Sequence, residues 1–345
     1  MLSNELLILS ILTLAMIGIL GIILVYLMIR KAMDIKISKR IDHCKEKYNP
    51  LISLILTEGG LSRELTAKTA LQRKAIEELL SRYTKVLERE EEKKRLSKLA
   101  ALYLTDDYQK RLKSMRWSTR MNTLYQIEDF GMDHLLNDVY MLLKRRRLSH
   151  QELIHILRIL ALFHFGPLFE LLTNHYNHLS EYEYRNILLR LEQRQFDQFV
   201  LNFHKSELPL QKAIVDVISI KKELSYLSFL ENIFSNYSGE VKLRALKALA
   251  VIGYVKNIEP YLELLYSSKW EERMISAKLI GKLKEEKGVP RLIELLHDQS
   301  WWVRFQAGQS ICQFLNGKEI LRLVLESSKD SFAKDMAWEW LHKGE

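Results

Sequence analysis

Hydrophobic and polar residues follow two different patterns along the chain. A continuous apolar run extends from Leu6 to Ile29 and contains no charged residue in its 24 positions. In the rest of the chain, apolar residues recur at helical spacing among charged ones. An α-helix rises about 1.5 Å per residue, so the first run is long enough to cross the roughly 30 Å hydrocarbon core of a bilayer. The pattern therefore predicts one transmembrane helix followed by an array of amphipathic helices.

The segment from Val241 to Asp330 repeats itself with a period of 31 residues. Each unit has a first helix with small and apolar residues and a second apolar helix, which begins near Pro260 or Pro290 in two of the units. A fixed period of this length is typical of a solenoid, because one helix pair cannot bury both of its apolar faces alone. The matching positions are basic at Lys242, Arg273 and Arg304, small at Ala245, Ser276 and Ala307, and apolar at Leu249, Ile280 and Ile311.

The same period extends towards the N-terminus. It predicts earlier first helices near Leu210, Leu179 and Leu148, and one further helix near Trp117. The count is about seven units, and the last helix, over 331–342, is suited to cover the open end of the core. The predicted fold class is all-α, with a single N-terminal transmembrane helix followed by an α-solenoid of helix pairs.

At these residues the sequence resembles the HEAT-repeat family, and in particular the bacterial PBS-lyase HEAT-like repeats. The resemblance rests on the pattern V-R-x-x-A-x-x-A-L, seen at Val303, Arg304 and Ala307, and on L-I-E-L-L, which occurs at 292–296. It covers 241–330, and the earlier units are inferred from the period alone. The resemblance implies a scaffold with a binding surface.

These patterns divide the chain into four predicted segments. Residues 1–30 are a transmembrane anchor, and 31–60 are a basic juxtamembrane linker that ends at a break marked by Pro50, Gly59 and Gly60. Residues 61–116 form a charged helical stalk or an N-terminal cap, and self-association of these helices stays open. The HEAT-like solenoid occupies 117–345.

The charges that flank the apolar run predict its orientation. No Lys or Arg precedes the run, whereas seven follow it within 30–47. The positive-inside rule therefore places the N-terminus outside and the solenoid in the cytoplasm, as a single-pass protein of the cell membrane. The net charge of +9 also favours an anionic neighbour. Candidate contacts for lipid or phosphate are Arg30, Lys31, Lys36, Lys39, Arg40, Lys144, Arg145, Arg146 and Arg147.

Two further sets of residues stand out by their place in the repeat. Trp117, Trp270, Trp301 and Trp302 lie at or near the start of first helices and are candidate contacts for a protein partner. Their alternative role is packing between adjacent repeats. The basic column of Lys242, Arg273 and Arg304 is interpreted as structural, since the resemblance implies that each residue binds an acidic side chain of the next repeat.

The sequence contains no motif that predicts catalysis. It has no phosphate-binding glycine loop, no G-x-S-x-G, no H-E-x-x-H and no C-x-x-C. Its two cysteines, Cys44 and Cys312, predict no disulfide framework. We therefore expect no catalytic residue, no cofactor, no metal and no small-molecule ligand.

The favoured hypothesis is a non-catalytic scaffold or adaptor, tethered to the membrane, whose second helices form the surface that binds a protein. The partner would be a membrane protein or a cytosolic regulator. The resemblance suggests one concrete version, a subunit of an envelope polysaccharide machine. The alternatives are a nucleic-acid-binding HEAT-like solenoid, which the anchor disfavours, and a protein that binds lipid surfaces.

Overall fold

The structure is a computed structural model that describes residues 2–60 and 62–343, with only the backbone described for 2–10. Throughout this range the regular elements are helices, which confirms the predicted all-α class. The chain divides into two compact units, Met1–Phe165 and Gly166–Glu345. The helices of the first unit are α1 (Leu2–Glu58), α2 (Ala70–Tyr83), α3 (Glu90–Leu112), α4 (Trp117–Asp129), α5 (Leu136–Met141) and α6 (His150–Leu162).

The second unit is built from shorter helices that follow one another in pairs. A π-helical turn, Leu171–His175, continues α7, and short 3-10 turns extend several of the others. These helices are α7 (Leu168–Glu170), α8 (Glu181–Leu188), α9 (Gln193–Leu201), α10 (Leu208–Lys221), α11 (Leu227–Asn236), α12 (Gly239–Ile252), α13 (Glu259–Glu263), α14 (Trp270–Leu283), α15 (Val289–Leu295), α16 (Trp301–Ile311), α17 (Gly317–Ser327) and α18 (Ser331–His342).

Helix α1 passes through two different environments. Every side chain from Ile11 to Arg40 is exposed, whereas Tyr48, Ile52 and Leu56 are buried. Among the described residues, α1 is the one helix that is long and apolar enough to cross a membrane. The stretch from Ile11 to Arg40 therefore contributes no side chain to the core, whereas the last part of α1 belongs to the core of the first unit.

The segment predicted as a juxtamembrane linker lies within this same helix. Pro50 does not interrupt it, and the helix ends only before Gly59 and Gly60, which adopt positive φ angles. A proline inside a helix costs about 3 kcal/mol, because it removes a hydrogen bond and crowds the preceding turn. Burial of the apolar side chains around Pro50 offsets this cost.

Residues 62–116, predicted as a stalk or a cap, contribute α2 and α3 to the first unit. Both helices pack against the C-terminal part of α1. The Tyr48 hydroxyl donates to the Thr66 carbonyl oxygen at 3.0 Å, and Lys45 pairs with Glu78 at 2.9 Å. Arg95 Nη1 donates to the Leu56 carbonyl at 2.9 Å and so caps the end of α1.

A buried carboxylate joins α2 to α3. Glu77, only 1% exposed, accepts hydrogen bonds from the Tyr108 hydroxyl at 3.0 Å and from Arg111 Nη1 at 2.7 Å. Lys74 contacts its other oxygen at 3.0 Å. Burial alone would raise the pKa of Glu77, but Arg111 and Lys74 outweigh burial and hold that pKa below its usual value. The carboxylate is therefore charged and fully partnered.

The 31-residue period is visible in the helix boundaries of the second unit. Helices α12, α14 and α16 begin at Gly239, Trp270 and Trp301. The earlier helices α10, α8 and α6 begin at Leu208, Glu181 and His150. Each of these starts lies two residues from the position that the period predicted, near 210, 179 and 148. The cap positions Lys222, Gly253 and Lys284 are also 31 residues apart, and all three adopt the left-handed conformation. The same local geometry thus ends each of these first helices.

Close approach of backbones sets the packing between α14 and α16. A Cβ atom added at Gly281 would lie 2.7 Å from the Ser310 Cα atom, which leaves no space for an alanine. Ser310 Oγ donates to the Ala277 carbonyl at 2.8 Å across the same contact. The small residues of the repeat therefore allow neighbouring first helices to lie against each other.

We expect Gly281→Ala to destabilise the second unit by about 2 kcal/mol, because a core without free volume must shift to admit a methyl group. Thermal unfolding followed by circular dichroism measures this change. Gly166→Ala is the matched control, since nothing lies within 4 Å of its added Cβ atom. Equal unfolding temperatures for the two variants would contradict close packing at Gly281.

Candidate binding surfaces

A groove of about 480 Å³ crosses the first helices of the second unit. Its lining comes from α8, α10, α12, α14 and α16 and includes Leu243, Met274 and Ile275. The sequence favoured the second helices as the binding surface, so this groove lies on the other member of each pair. The difference arises because bulky and charged residues of the first helices, such as Leu243, Lys247 and Lys278, line the groove and are not part of the core.

One arginine holds several of these first helices together at one side of the groove. Arg244 of α12 contacts Asp216 of α10 at 2.7 Å and Glu181 of α8 at 3.0 Å. It also contacts Glu240, one turn earlier, at 3.1 Å. Burial raises the pKa of Asp216, and Arg244 and Arg185 offset this effect only in part. The Arg244 cluster is thus an ion-pair network within the solenoid.

Two lysines on the same surface remain available to a ligand. Lys247 and Lys278 line the groove and are exposed, and in the described part of the chain neither forms an ion pair with a carboxylate. With the partly buried Glu271 nearby, the groove carries both signs of charge over an apolar floor. Such a surface is suited to a polypeptide segment with mixed charge.

The members of the predicted basic column have different partners. Arg273 forms a bidentate pair with Asp298, with distances of 2.7 Å and 2.8 Å from Nε and Nη2 to the carboxylate oxygens. The guanidinium of Arg304 lies 4.8 Å from the centre of the Phe332 ring, and the Lys242 ammonium lies 4.8 Å from that of Phe234. The expected acidic partner is therefore present for Arg273, whereas aromatic rings take that place for the other two.

The column also has members that the sequence analysis missed. Arg273 and Arg304 each donate from Nη1 to the carbonyl oxygens five and six residues earlier, and Arg73 and Arg120 make the same pair of bonds. Each is the fourth residue of its helix. Arg120 also binds the buried carboxylate of Glu152 at 2.6 Å. Each of these arginines links the turn before its helix to the helix itself. In a sequence, such a residue can be recognised as an arginine three positions after a predicted helix start.

The four candidate tryptophans are all at least partly exposed. Trp117, Trp270 and Trp301 are the first residues of their helices, with exposed fractions of 45%, 38% and 45%, and Trp302 is 57% exposed. Trp117 Nε1 donates to Ser149 Oγ at 2.9 Å, which links α4 to the start of α6.

The structure places two of these tryptophans together. The Trp301 ring contacts Trp302 and Phe305, with centroid distances of 4.9 Å and 5.0 Å. No ring contact joins Trp270 to Trp301 among the described residues. The predicted aromatic row is therefore a pair beside Phe305, with Trp270 separate from it.

The basic candidates of the first unit fall into two groups. Arg30, Lys31, Lys36, Lys39 and Arg40 are exposed along α1. Lys144, Arg145, Arg146 and Arg147 follow α5, where Arg145 is partly buried and contacts the Met115 sulfur at 3.5 Å. Within the described residues, no group of three or more His, Cys, Asp or Glu side chains is arranged to hold a metal ion.

Comparison with known proteins defines the class of repeat. A family model described as HEAT repeats matches residues 227–312, which lie in the second unit. The crystal structure of an engineered protein from the Northeast Structural Genomics Consortium aligns with 88% of this chain and 98% of its own, at 15% identity and a TM-score of 0.38. No curated protein matches the chain. The family match identifies HEAT repeats in 227–312, and such repeats are typically scaffolds for protein interaction.

We expect Arg273→Gln to destabilise the second unit by about 2 kcal/mol, because a charge-assisted pair and a turn cap are both lost. Burial alone would raise the pKa of Asp298, but the hydrogen bonds from Arg273 and the Ser300 amide lower it. The pair therefore stabilises the fold above about pH 4, and this stability is lost as pH falls through the lowered pKa of Asp298.

Chemical denaturation at neutral and acidic pH measures both effects. The exposed Arg322→Gln is the control and should unfold like the wild type. The difference in unfolding free energy between wild type and Arg273→Gln should become smaller at acidic pH. A difference that stays constant down to pH values at which Asp298 is protonated would contradict the stabilising role of the pair.

Proposed function

We propose that the protein is a non-catalytic scaffold, anchored in the cell membrane by the first part of α1, that presents its HEAT-repeat surface to a protein partner in the cytoplasm. The observation that carries the proposal is the burial pattern of α1. An apolar segment with every described side chain exposed continues, without a break in the helix, into the core of the first unit. A bilayer covers such a segment at a far lower free energy than water does.

The flanking charges support the proposed orientation. Arg30 and Lys31 directly follow the apolar run and, like Lys36, Lys39 and Arg40, are exposed. Cations at this place are retained on the cytoplasmic side of a membrane. With the N-terminus outside, the part of the first unit that follows residue 30 and the whole second unit lie in the cytoplasm.

The proposed partner is a protein, either a membrane protein or a cytosolic regulator. HEAT repeats typically bind proteins, and the groove on the first helices offers an apolar floor with unpaired lysines. Trp270, Trp301 and Trp302 in the second unit and Trp117 in the first are the proposed contact residues. A membrane enzyme of envelope polysaccharide synthesis is the specific partner that we would look for first.

Removing residues 1–30 tests the tether. The side chains from Ile11 to Arg30 are exposed, so their removal takes away no core contact, and we expect a folded helical chain that is released from membranes and recovers no partner in a crosslinked pull-down. The control replaces residues 6–29 with an unrelated single-pass segment and should restore recovery. Full partner recovery by the deleted chain would contradict the tethered scaffold, and a salt-dependent shift of duplex DNA would support the nucleic-acid alternative.

Trp302→Ala tests the proposed contact surface. Aromatic residues at the centre of an interface contribute about 2 kcal/mol or more, so we expect partner recovery to fall at least about tenfold. Trp338→Ala is the matched control, because Trp302 and Trp338 are both 57% exposed. Partner recovery that falls equally for both variants, or for neither, would contradict a specific role for Trp302.

A further inference from the structure

A cavity of about 470 Å³ lies in the first unit, between α1 and the start of α2. One wall consists of Lys36, Lys39, Arg40 and His43, and the other includes Thr69 and Gln72. The four residues of the first wall are spaced i, i+3, i+4 and i+7, so they share one face of α1. Folding of α2 against α1 thus converts a basic stripe on a helix into a concave site.

The cations of this cavity have no carboxylate partner within the part of the chain that the structure describes. Neither Lys36 nor Lys39 nor Arg40 forms an ion pair there. The nearby Asp42 is paired with Lys45 at 2.7 Å, and Lys45 also binds Glu78 at 2.9 Å. Asp42 and Glu78 are therefore paired with a different cation. Lys36, Lys39 and Arg40 leave a net positive charge on this wall of the cavity, which favours a bound anion.

The second wall of the cavity is the N-terminus of α2. Thr69 and Gln72 form a reciprocal capping box, in which Thr69 Oγ1 accepts from the Gln72 amide at 3.2 Å and Gln72 Oε1 accepts from the Thr69 amide at 3.0 Å. Their positions place the positive end of the α2 dipole towards the cavity. This wall reinforces the positive potential that the three cations produce.

We propose that this cavity binds the phosphate of an anionic lipid headgroup. The inference rests on the proposed membrane anchor, because the anchor determines how far the cavity lies from the bilayer. Lys36 follows Ile29 by seven residues, or about 10 Å along the helix. Lysine and arginine side chains on this stretch of α1 extend back towards the headgroups.

The test compares lipid retention by purified full-length protein in native mass spectrometry. The probes are phosphatidic acid, zwitterionic phosphatidylcholine and inorganic phosphate. The variant is K36Q/K39Q/R40Q, which leaves Arg30 and Lys31 to set the orientation. The control is R82Q/K98Q/K113Q, which removes the same charge from exposed positions of the same unit that are not among the basic candidates.

We expect wild type and control to retain phosphatidic acid over phosphatidylcholine, and the cavity variant to lose about tenfold or more of this preference, since each surface cation contributes about fivefold. Equal retention of the two lipids by wild type, or an equal loss in variant and control, would overturn the inference. Displacement of phosphatidic acid by an equal concentration of inorganic phosphate would assign the cavity to free phosphate and overturn the lipid assignment.

Alkaline extraction of membranes distinguishes a failure of the cavity inference from a failure of the anchor proposal. Wild type, cavity variant and control should all remain in the membrane pellet, because their apolar segment is unchanged. If the wild type is extracted, the anchor proposal fails, while the lipid comparison in solution still reports on the cavity. If all three proteins stay in the pellet without a lipid preference, the anchor stands and the inference about the cavity fails.

Discussion

The first unit depends on the packing of the last turns of α1 against α2 and α3. Tyr48, Ile52 and Leu56 are buried there, and Arg95 caps the end of the helix. These contacts hold α1 helical through Pro50. Because the helix is uninterrupted, the chain between Ile29 and Tyr48 is a strut of about 28 Å instead of a flexible tether. In the proposed membrane orientation, this strut keeps the first unit at a fixed distance from the bilayer and forms one wall of the basic cavity.

In the second unit, a different constraint repeats every 31 residues. First helices pack closely where Gly281 meets Ser310, and a left-handed residue ends several of them. Arginines such as Arg273 tie the turn before the helix to the helix itself. These local contacts and backbone conformations determine how each first helix begins, ends and packs against its neighbour. The side chains that remain outside the core then line a groove on the first helices, whose walls are linked by Arg244.

Periodicity predicted the fold because burial in a solenoid depends mainly on neighbouring repeats. The helix starts at Leu208 and Glu181 lay within two residues of the predicted positions, although their sequences match the repeat pattern poorly. The continuity of α1 was harder to predict, since local propensity at Pro50 opposes it and only tertiary burial reverses the balance. The basic cavity was not predictable either. Its two walls are separated by about 30 positions in the sequence and meet only when α2 folds against α1.

The partners of the basic column show the same division between local and tertiary information. The carbonyls that Arg304 binds are five and six residues away, so local sequence contains them. The ring of Phe332 comes from α18, two helices further along the chain, and depends on how the helices stack. The repeat period therefore identified the column, whereas the acidic partner was an implication of the family resemblance and, of the three members, occurs at Arg273.

Hydrogen exchange of the full-length protein in lipid nanodiscs tests the central claim, that one helix extends from the bilayer into the folded core. The expected result is strong protection of 11–29 by the bilayer and of 48–58 by packing, with helical protection also between them. Rapid exchange across 11–29, while 48–58 stays protected, would contradict the membrane anchor. Rapid exchange confined to 31–47 would contradict the rigid strut.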